Sequence, residues 1–371
     1  MKVIRDAIHN NIELNSLEMD LLDSPPMQRL HKVRQLALSY LVYPSALHTR
    51  FEHSLGTFHL TKMLSDRLFE DGPLRQMLRV GALLHDVGHS AFSHLPEPLL
   101  EKFLHKDHEK LGMEKIKSNE IASILEKHNI SAKELIKLFN ANEFKIVSSD
   151  FGTDRMDYLL RDAYFTGVGY SLIDAERLLL SFLFKNGNLV LQEKGLLAAE
   201  SLLVSRYLMF NAVYSHHAVR IASEMLFKAL ETALEESKIS IQEIANGSDD
   251  VILSHLQGIP LIDRIQNRNL FKIAYQDEDF VLGKNNSSTI ISLEESLSRQ
   301  IDPSNFVICS PKQQLGEASM PLLRENGQTV DFYQISQISK AVSQQRKASG
   351  LIVASSKENL SKVQSICKKT L

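Results

Sequence analysis

From Leu17 to about Lys145, apolar residues recur at three- and four-residue spacing in segment after segment, with Pro25-Pro26, Pro44 and Gly72-Pro73 as breakers between them. A chain written this way buries its apolar stripes by packing helix against helix. The spacing therefore predicts a mainly α, multi-helix core. Two stretches depart from it. VIRDAIHNNIELN, near the N-terminus, reads as a small hairpin through its Asn10-Asn11 turn signal. FLFKNGNLVLQ (182–192) places two short strand-like runs around Asn186-Gly187-Asn188, a second hairpin signal. The helical pattern returns from Leu196 to about Glu236, with Leu203, Tyr207, Phe210 and Tyr214 on one side, and shorter helices run on to about Arg268. The charge-dense EKFLHKDHEKLGMEKIKSNE (101–120) reads as a solvated helical excursion over the core.

Beyond Arg268 the texture changes. FKIAY (271–275), FVICS (306–310), TVDFYQI (329–335) and GLIVASS (350–356) are strand-like, and 288–300, 336–348 and 357–369 are helix-like. The expected division is a helical domain over 1–268 and a smaller C-terminal α+β subdomain over 269–371. A net charge of −3 provides no global basic field to collect nucleic acid, so only a local cationic pocket is left for anions. Cys309 and Cys367 match no CxxC or zinc-ribbon spacing, which argues against a disulfide framework and suits a reducing compartment. MKVIRDAIHN lacks a hydrophobic signal core, and no apolar run reaches the ~20 residues of a membrane span. The expected location is the cytoplasm, with no membrane partner.

Of 14 histidines, eight fall between His48 and His108. LLHDVGHSAFSH (83–94) sets His85 and Asp86 at the end of an apolar run, where a core disfavours both groups unless something binds them. A metal, an acid/base pair and plain hydrogen bonds are the alternatives. His53 opens another apparent helix and Asp154 a third. Taken singly, His53 reads as a core histidine and Asp154 as helix N-terminal charge. Together the four supply two imidazoles and two carboxylates, a mixed set suited to a divalent ion such as Mn, Mg, Fe, Ni or Zn. Without thiolates a structural zinc site is disfavoured. Four protein ligands on a six-coordinate ion leave room for water and a substrate oxygen, as hydrolysis requires.

HTRFEHSLG (48–56), HDVGHSAFSH (85–94) and DRMDYLLRDAYFTGV (154–168) resemble the HD-domain phosphohydrolases, specifically the dGTPase-like deoxynucleoside triphosphate triphosphohydrolase branch, over Lys2 to about Arg220. The resemblance implies an HD-domain core in which His53, His85, Asp86 and Asp154 hold the ion. It places His89, His94 and His108 by the phosphates, His94 as the proton donor to the departing 5′ oxygen. Glu97 stands where relatives commonly carry Asp as the partner of His108. Arg50, Arg155 and Arg206 match cations around a triphosphate. Tyr158 and Asp162 match the pair that packs on the sugar and binds its 3′ hydroxyl, with Gln35 adding a contact and the tyrosine ring excluding a 2′ hydroxyl. Tyr214 matches a residue near the base.

The implied reaction is attack of water activated by the ion at the α-phosphorus of a dNTP, releasing deoxynucleoside and inorganic triphosphate. Some relatives are oligomers activated by a guanine nucleotide, and Lys2, Val3, Asp23 and Gln28 match that effector site, so the resemblance implies a homo-oligomer, dimer or tetramer. His31 departs from the pattern, because activated relatives carry arginine there. Two other readings stay open on residues alone: an HD phosphatase or phosphodiesterase acting on another nucleotide or phosphate ester, and a non-catalytic nucleotide-binding regulator.

Overall fold

The computed structural model describes residues 1–171, 173–280, 286–311, 316–344 and 350–371. The chain begins with strands β1 (Lys2–Asp6) and β2 (Asn10–Leu14), paired antiparallel with Asp6 opposite Asn10. The hairpin is therefore present, but its turn is Ala7–His9 and not Asn10-Asn11. Asn10 takes the left-handed conformation, φ 63°, that closes a three-residue hairpin loop, a conformation asparagine tolerates.

Helices Ser16–Leu22, Arg50–Leu68, Pro73–Leu84, Glu97–Leu104, His108–Lys117, Asn119–Lys127, Thr153–Thr166 and Leu196–Met209 follow. Local signals set their starts. Glu52 reaches back to the Thr49 backbone N–H at 2.6 Å, and Pro73 occupies a first-turn position where no N–H is needed. Leu55, Phe58, Leu78, Leu83, Met156 and Leu159 are buried between these helices. Each such side chain contributes roughly 1.5–3 kcal/mol of transfer free energy.

β3 (Phe182–Lys185) and β4 (Asn188–Gln192) form the second expected hairpin, turning on Asn186 and Gly187, both at positive φ as a mirror-image two-residue turn requires. Further on come β5 (Lys272–Asp277), β6 (Phe306–Cys309), β7 (Pro321–Leu323), β8 (Thr329–Asp331) and β9 (Leu351–Ser355). They do not form one sheet. The orders are β3-β4-β7-β8, with β4 and β7 parallel, and β5-β9-β6, antiparallel throughout. β7 was not anticipated from the sequence. TVDFYQI is strand only to Asp331, whose side chain accepts from Tyr333 N at 2.8 Å and caps a short helix, Phe332–Ile335. The helix expected over 336–348 is Gln337–Gln344, and residues 345–348 lie outside the described ones.

Two compact units result. One comprises Met1–Met209, Ile241–Asp250 and Glu317–Val342, and holds the helical core, the N-terminal hairpin and the β3-β4-β7-β8 sheet. The other comprises Phe210–Ser240, Val251–Gly316 and Ser343–Leu371, and packs Leu293, Leu297, Phe306, Val353 and Val363 into its own core beside β5-β9-β6. The helical stretch expected from Leu196 to Glu236 is broken by a wider turn at Phe210–Tyr214, after which His217–Glu235 resumes it. Glu193–Tyr214, 22 residues, is long and apolar enough to span a membrane by length and composition, which corrects the expectation that no run reaches that length. Core helices pass the same test, and this one carries Glu200 bonded to Ser336 and Arg206 bonded to Asp150.

Candidate active site

Three helix ends bring the site together. His53 stands one turn into Arg50–Leu68, His85 caps Pro73–Leu84, and Asp154 lies in the first turn of Thr153–Thr166. His53 Nε2 is 3.1 Å from Asp154 Oδ1 and 3.6 Å from Asp86 Oδ2; His85 Nε2 is 3.3 Å from Asp86 Oδ1 and 3.8 Å from Asp154 Oδ1. Atoms bound at ~2.1 Å to one cation stand about 3 Å apart when adjacent on an octahedron. The residues fit such an ion on a further count. His85 Nδ1 is tied to Ala82 O at 2.8 Å, and among the described residues its buried Nε2 has no well-aimed hydrogen-bond partner despite the carboxylates around it. Burial alone would lower the His53 pKa, but Asp154 and Asp157, hydrogen-bonded to its two ring nitrogens, and Asp86 beside it raise it to about 10. A positive charge belongs in this cluster.

The sequence missed what stands behind His53. Asp157, three residues after Asp154 on the same helix, is hydrogen-bonded to His53 Nδ1 at 2.8 Å and to His9 Nε2 at 2.7 Å. Arg161 donates to both Asp157 oxygens at 2.9 Å and reaches Asp6 at 2.9 Å. The N-terminal hairpin thereby braces the cluster. Asp157 and Arg161 are fully buried, and the Arg161 guanidinium holds the Asp157 carboxyl well below its ordinary range against the opposing effect of burial. Gly56 makes room for the pair, since a Cβ there would stand 1.8 Å from Asp157 Oδ1. The visible signal was spacing: 154, 157 and 161 share one helical face.

Beside the cluster lies a second group. His89 and His108 stack with ring centroids 4.1 Å apart, and His94 meets both edge-on. The helix does not continue past His85, so His89 reaches the site from a tight turn and not from a shared helical face; its Nε2 is 3.3 Å from Asp86 Oδ1. Gly88 permits that turn, because a Cβ there would collide with His108 O and Gly112 N at 2.0 and 2.2 Å. Glu97 is hydrogen-bonded to His94 Nδ1 at 3.1 Å and, closer still, to His108 Nδ1. Its longer side chain thus spans both imidazoles. Burial lowers the His108 pKa, but the Glu97 carboxylate outweighs it and raises it; burial and the Arg50 guanidinium push His89 well down, which keeps it neutral. His94, its side chain 58% exposed, is the member open to a ligand.

Arg50 bridges Asp86 Oδ2 (2.8 Å) and Ser93 Oγ (2.9 Å). Arg155 and Arg206 both pair with Asp150, at 3.2 and 3.1 Å. Tyr158 lies on the same helix as Asp154, its ring 6.3 Å from that of His53. Asp162 Oδ1 is 2.8 Å from His48 Nε2, a partner the sequence reading passed over although His48 opens the HTRFEHSLG motif. Gln35 pairs through its backbone with residue 48, and its buried side-chain oxygen has no hydrogen-bond partner among the described residues. Tyr214 belongs to the second compact unit, at the end of the wide turn. Lys2 and Val3 are exposed on β1, and Asp23 and Gln28 are exposed around the Pro25–Arg29 turn of helix. His31 stacks on Phe51.

Residues 50–162 match the family model described as HD domain, and residues 173–371 match that described as HD associated region. An uncharacterized protein of Methanocaldococcus jannaschii is 38% identical over 88% of this chain and 73% of its own. A Dictyostelium discoideum homolog of the deoxynucleoside triphosphate triphosphohydrolase SAMHD1 is 28% identical over 73% of this chain and 59% of its own. The crystal structure of a hypothetical protein from Aquifex aeolicus superposes with a TM-score of 0.81 at 30% identity, over 99% of both chains.

Proposed function

Because the chain belongs to the HD-domain phosphohydrolase superfamily, in its deoxynucleoside triphosphate triphosphohydrolase-like branch, we propose that it hydrolyses dNTPs to deoxynucleoside and inorganic triphosphate. The supporting observation is the convergence of His53, His85, Asp86 and Asp154 on one point, flanked by the His89–His94–His108 group. A divalent ion bound there would activate water and polarise a phosphoryl oxygen. His53, His85, Asp86 and Asp154 would hold it, and the absence of thiolates favours Mn, Mg, Fe, Ni or Zn in an open site.

The chain's own groups supply the rest. Arg155 and Arg206 are suited to a polyphosphate through their planar forks. His94 delivers a proton to the leaving 5′ oxygen, and Glu97 sets the orientation of its ring. Tyr158 and Asp162, four residues apart on one helix, form the sugar contact, to which Gln35 adds a further one; the tyrosine ring crowds a 2′ hydroxyl. The same proposal extends to a homo-oligomer with a guanine-nucleotide site at Lys2, Val3, Asp23 and Gln28, where His31 in place of arginine weakens the grip on phosphate. The expected division at residue 268 is proposed as one of chemistry, since all these residues precede it.

The test is incubation with each dNTP and rNTP in Mn²⁺, Mg²⁺ or Ni²⁺, with and without GTP, and separation of the products. Inorganic triphosphate from dNTPs alone is expected, with Asp154→Ala losing at least about a hundredfold in turnover. Orthophosphate as the product would replace the proposal with a different phosphoester hydrolysis, and full activity in Asp154→Ala would end it.

A further inference from the structure

Asp150 takes no part in the cluster of ligand residues, yet it engages two of the cations assigned to the triphosphate. Its Oδ1 accepts from Arg206 Nη1 at 3.1 Å and lies 3.2 Å from Arg155 Nη2. One carboxylate oxygen thus sits between two guanidinium groups, as a phosphate oxygen would. The three side chains are partly exposed, 30% for Asp150, 22% for Arg155 and 17% for Arg206, so a solute can reach them. Arg155 is otherwise anchored, donating to Ser148 O at 3.2 Å and Ser149 O at 2.6 Å. An arriving anion therefore leaves Arg155 in place and competes with Asp150.

A displaced carboxylate needs somewhere to go. A cavity of about 370 Å³ opens beside it, lined by Lys145, Ser149, Asp150, Arg155, Asn188 and Met320 among others. That is room for a side chain and several waters, each of which takes ~30 Å³. Lys145 offers a cation there, and Ser149 Oγ is a buried hydroxyl without a hydrogen-bond partner among the described residues.

We propose that Asp150 is a displaceable counter-ion: it occupies Arg155 and Arg206 until a polyphosphate takes them, swings into the Lys145–Ser149 cavity, and so sets the anionic charge a ligand must bring. The inference rests on the reading of Arg155 and Arg206 as phosphate cations. Displacement weakens every ligand of that pair by a common factor. A triphosphate, with several charges to set against one carboxylate, still binds; a phosphomonoester, with about two negative charges, does not.

The experiment is calorimetric titration of the full chain, dialysed against Mg²⁺ at fixed ionic strength, with inorganic tripolyphosphate, pyrophosphate and orthophosphate. Asp150→Asn keeps the shape and removes the charge. It is expected to tighten tripolyphosphate and pyrophosphate by roughly three- to tenfold and to bring orthophosphate into the measurable range. Lys145→Met, at an exposed position, is expected to weaken tripolyphosphate in the parent chain and to have no effect in the Asp150→Asn background. Weaker or unchanged tripolyphosphate binding in Asp150→Asn overturns the proposal, leaving Asp150 as a brace for the arginines. So does the absence of tripolyphosphate binding in both proteins. Binding is read without turnover, so a chain that responds to Asp150→Asn but releases no triphosphate from dNTPs refutes the hydrolytic reading alone.

Discussion

Asp157 is one hydrogen bond removed from the proposed ligand cluster and decides how His53 is presented to it. Its Oδ2 holds His53 Nδ1 at 2.8 Å, which leaves Nε2 directed toward Asp86 and Asp154. A carboxylate behind a ligand histidine fixes both the tautomer and the ring orientation. Asp157→Asn retains the shape and loses the charge, and is expected to weaken ion binding by roughly 10–100-fold. Competition with a chelator measures this, and an unchanged dissociation constant would refute the role. At this scale the residues proposed as ligands stood out because their motifs are long and their residue types chemically restricted. Asp157 was legible only as spacing. That face turns to the core, where Gly56, a hundred positions away, leaves room for the carboxylate. His9, 148 residues from Asp157, carries no local mark of its partnership at all.

Among the elements, the segment from His85 to His94 is held under strain. Phe92 and Ser93 are consecutive non-glycine residues in the left-handed region, φ 61° and 58°, each costing on the order of 1–3 kcal/mol. The chain is kept there from outside. Phe92 N donates to Asp249 Oδ1 at 2.7 Å, Ala91 N to Ile244 O at 3.2 Å, and Ser93 Oγ to Arg34 O at 2.7 Å. Asp249 also accepts from Arg34 N at 3.1 Å, so one carboxylate ties the His89–His94 segment to the Gln35 segment. Burial raises the Asp249 pKa to about 6, against the opposing backbone donors and the Arg34 charge, with Asp250 adding to the rise. A folded-state value above the unfolded one means that the native chain binds this proton more tightly. Its contribution to stability is then most favourable below pH ~4 and declines until pH ~6, by on the order of 3 kcal/mol. Asp249→Asn removes that titration. Its stability relative to the parent is expected to improve as pH rises from 4 to 7, whatever constant offset the lost acceptor adds. Urea midpoints of the two proteins across that range measure it, and parallel curves would contradict the assignment.

For the whole molecule, the C-terminal residues contribute to more than one assembly. β7 and β8 complete the sheet begun by β3 and β4, Phe332 packs against Phe151 with ring centroids 4.9 Å apart, and Ser336 donates to Glu200 at 2.6 Å. A chain ending at residue 268 would lose the buried Met320, Leu322 and Phe332, at roughly 5–9 kcal/mol for three large apolar side chains. Since domains are stable by only about 5–15 kcal/mol, that shortened chain is expected to be largely unfolded at 37 °C; a cooperative melt near that of the full chain would refute this. The sequence by itself determined the helical core, the strands of both hairpins and most of the C-terminal strands, and it singled out the residues proposed to hold an ion, because periodicity, turn chemistry and ligand type are written within a few neighbouring positions. Tertiary structure alone decided that β4 takes β7 as its partner, that Asp157 and Asp249 brace the site, and that Asp150 occupies two arginines. Apart from the five-residue step between Asp150 and Arg155, those pairings join residues tens to hundreds of positions apart, and they form only where burial and shape bring the segments together.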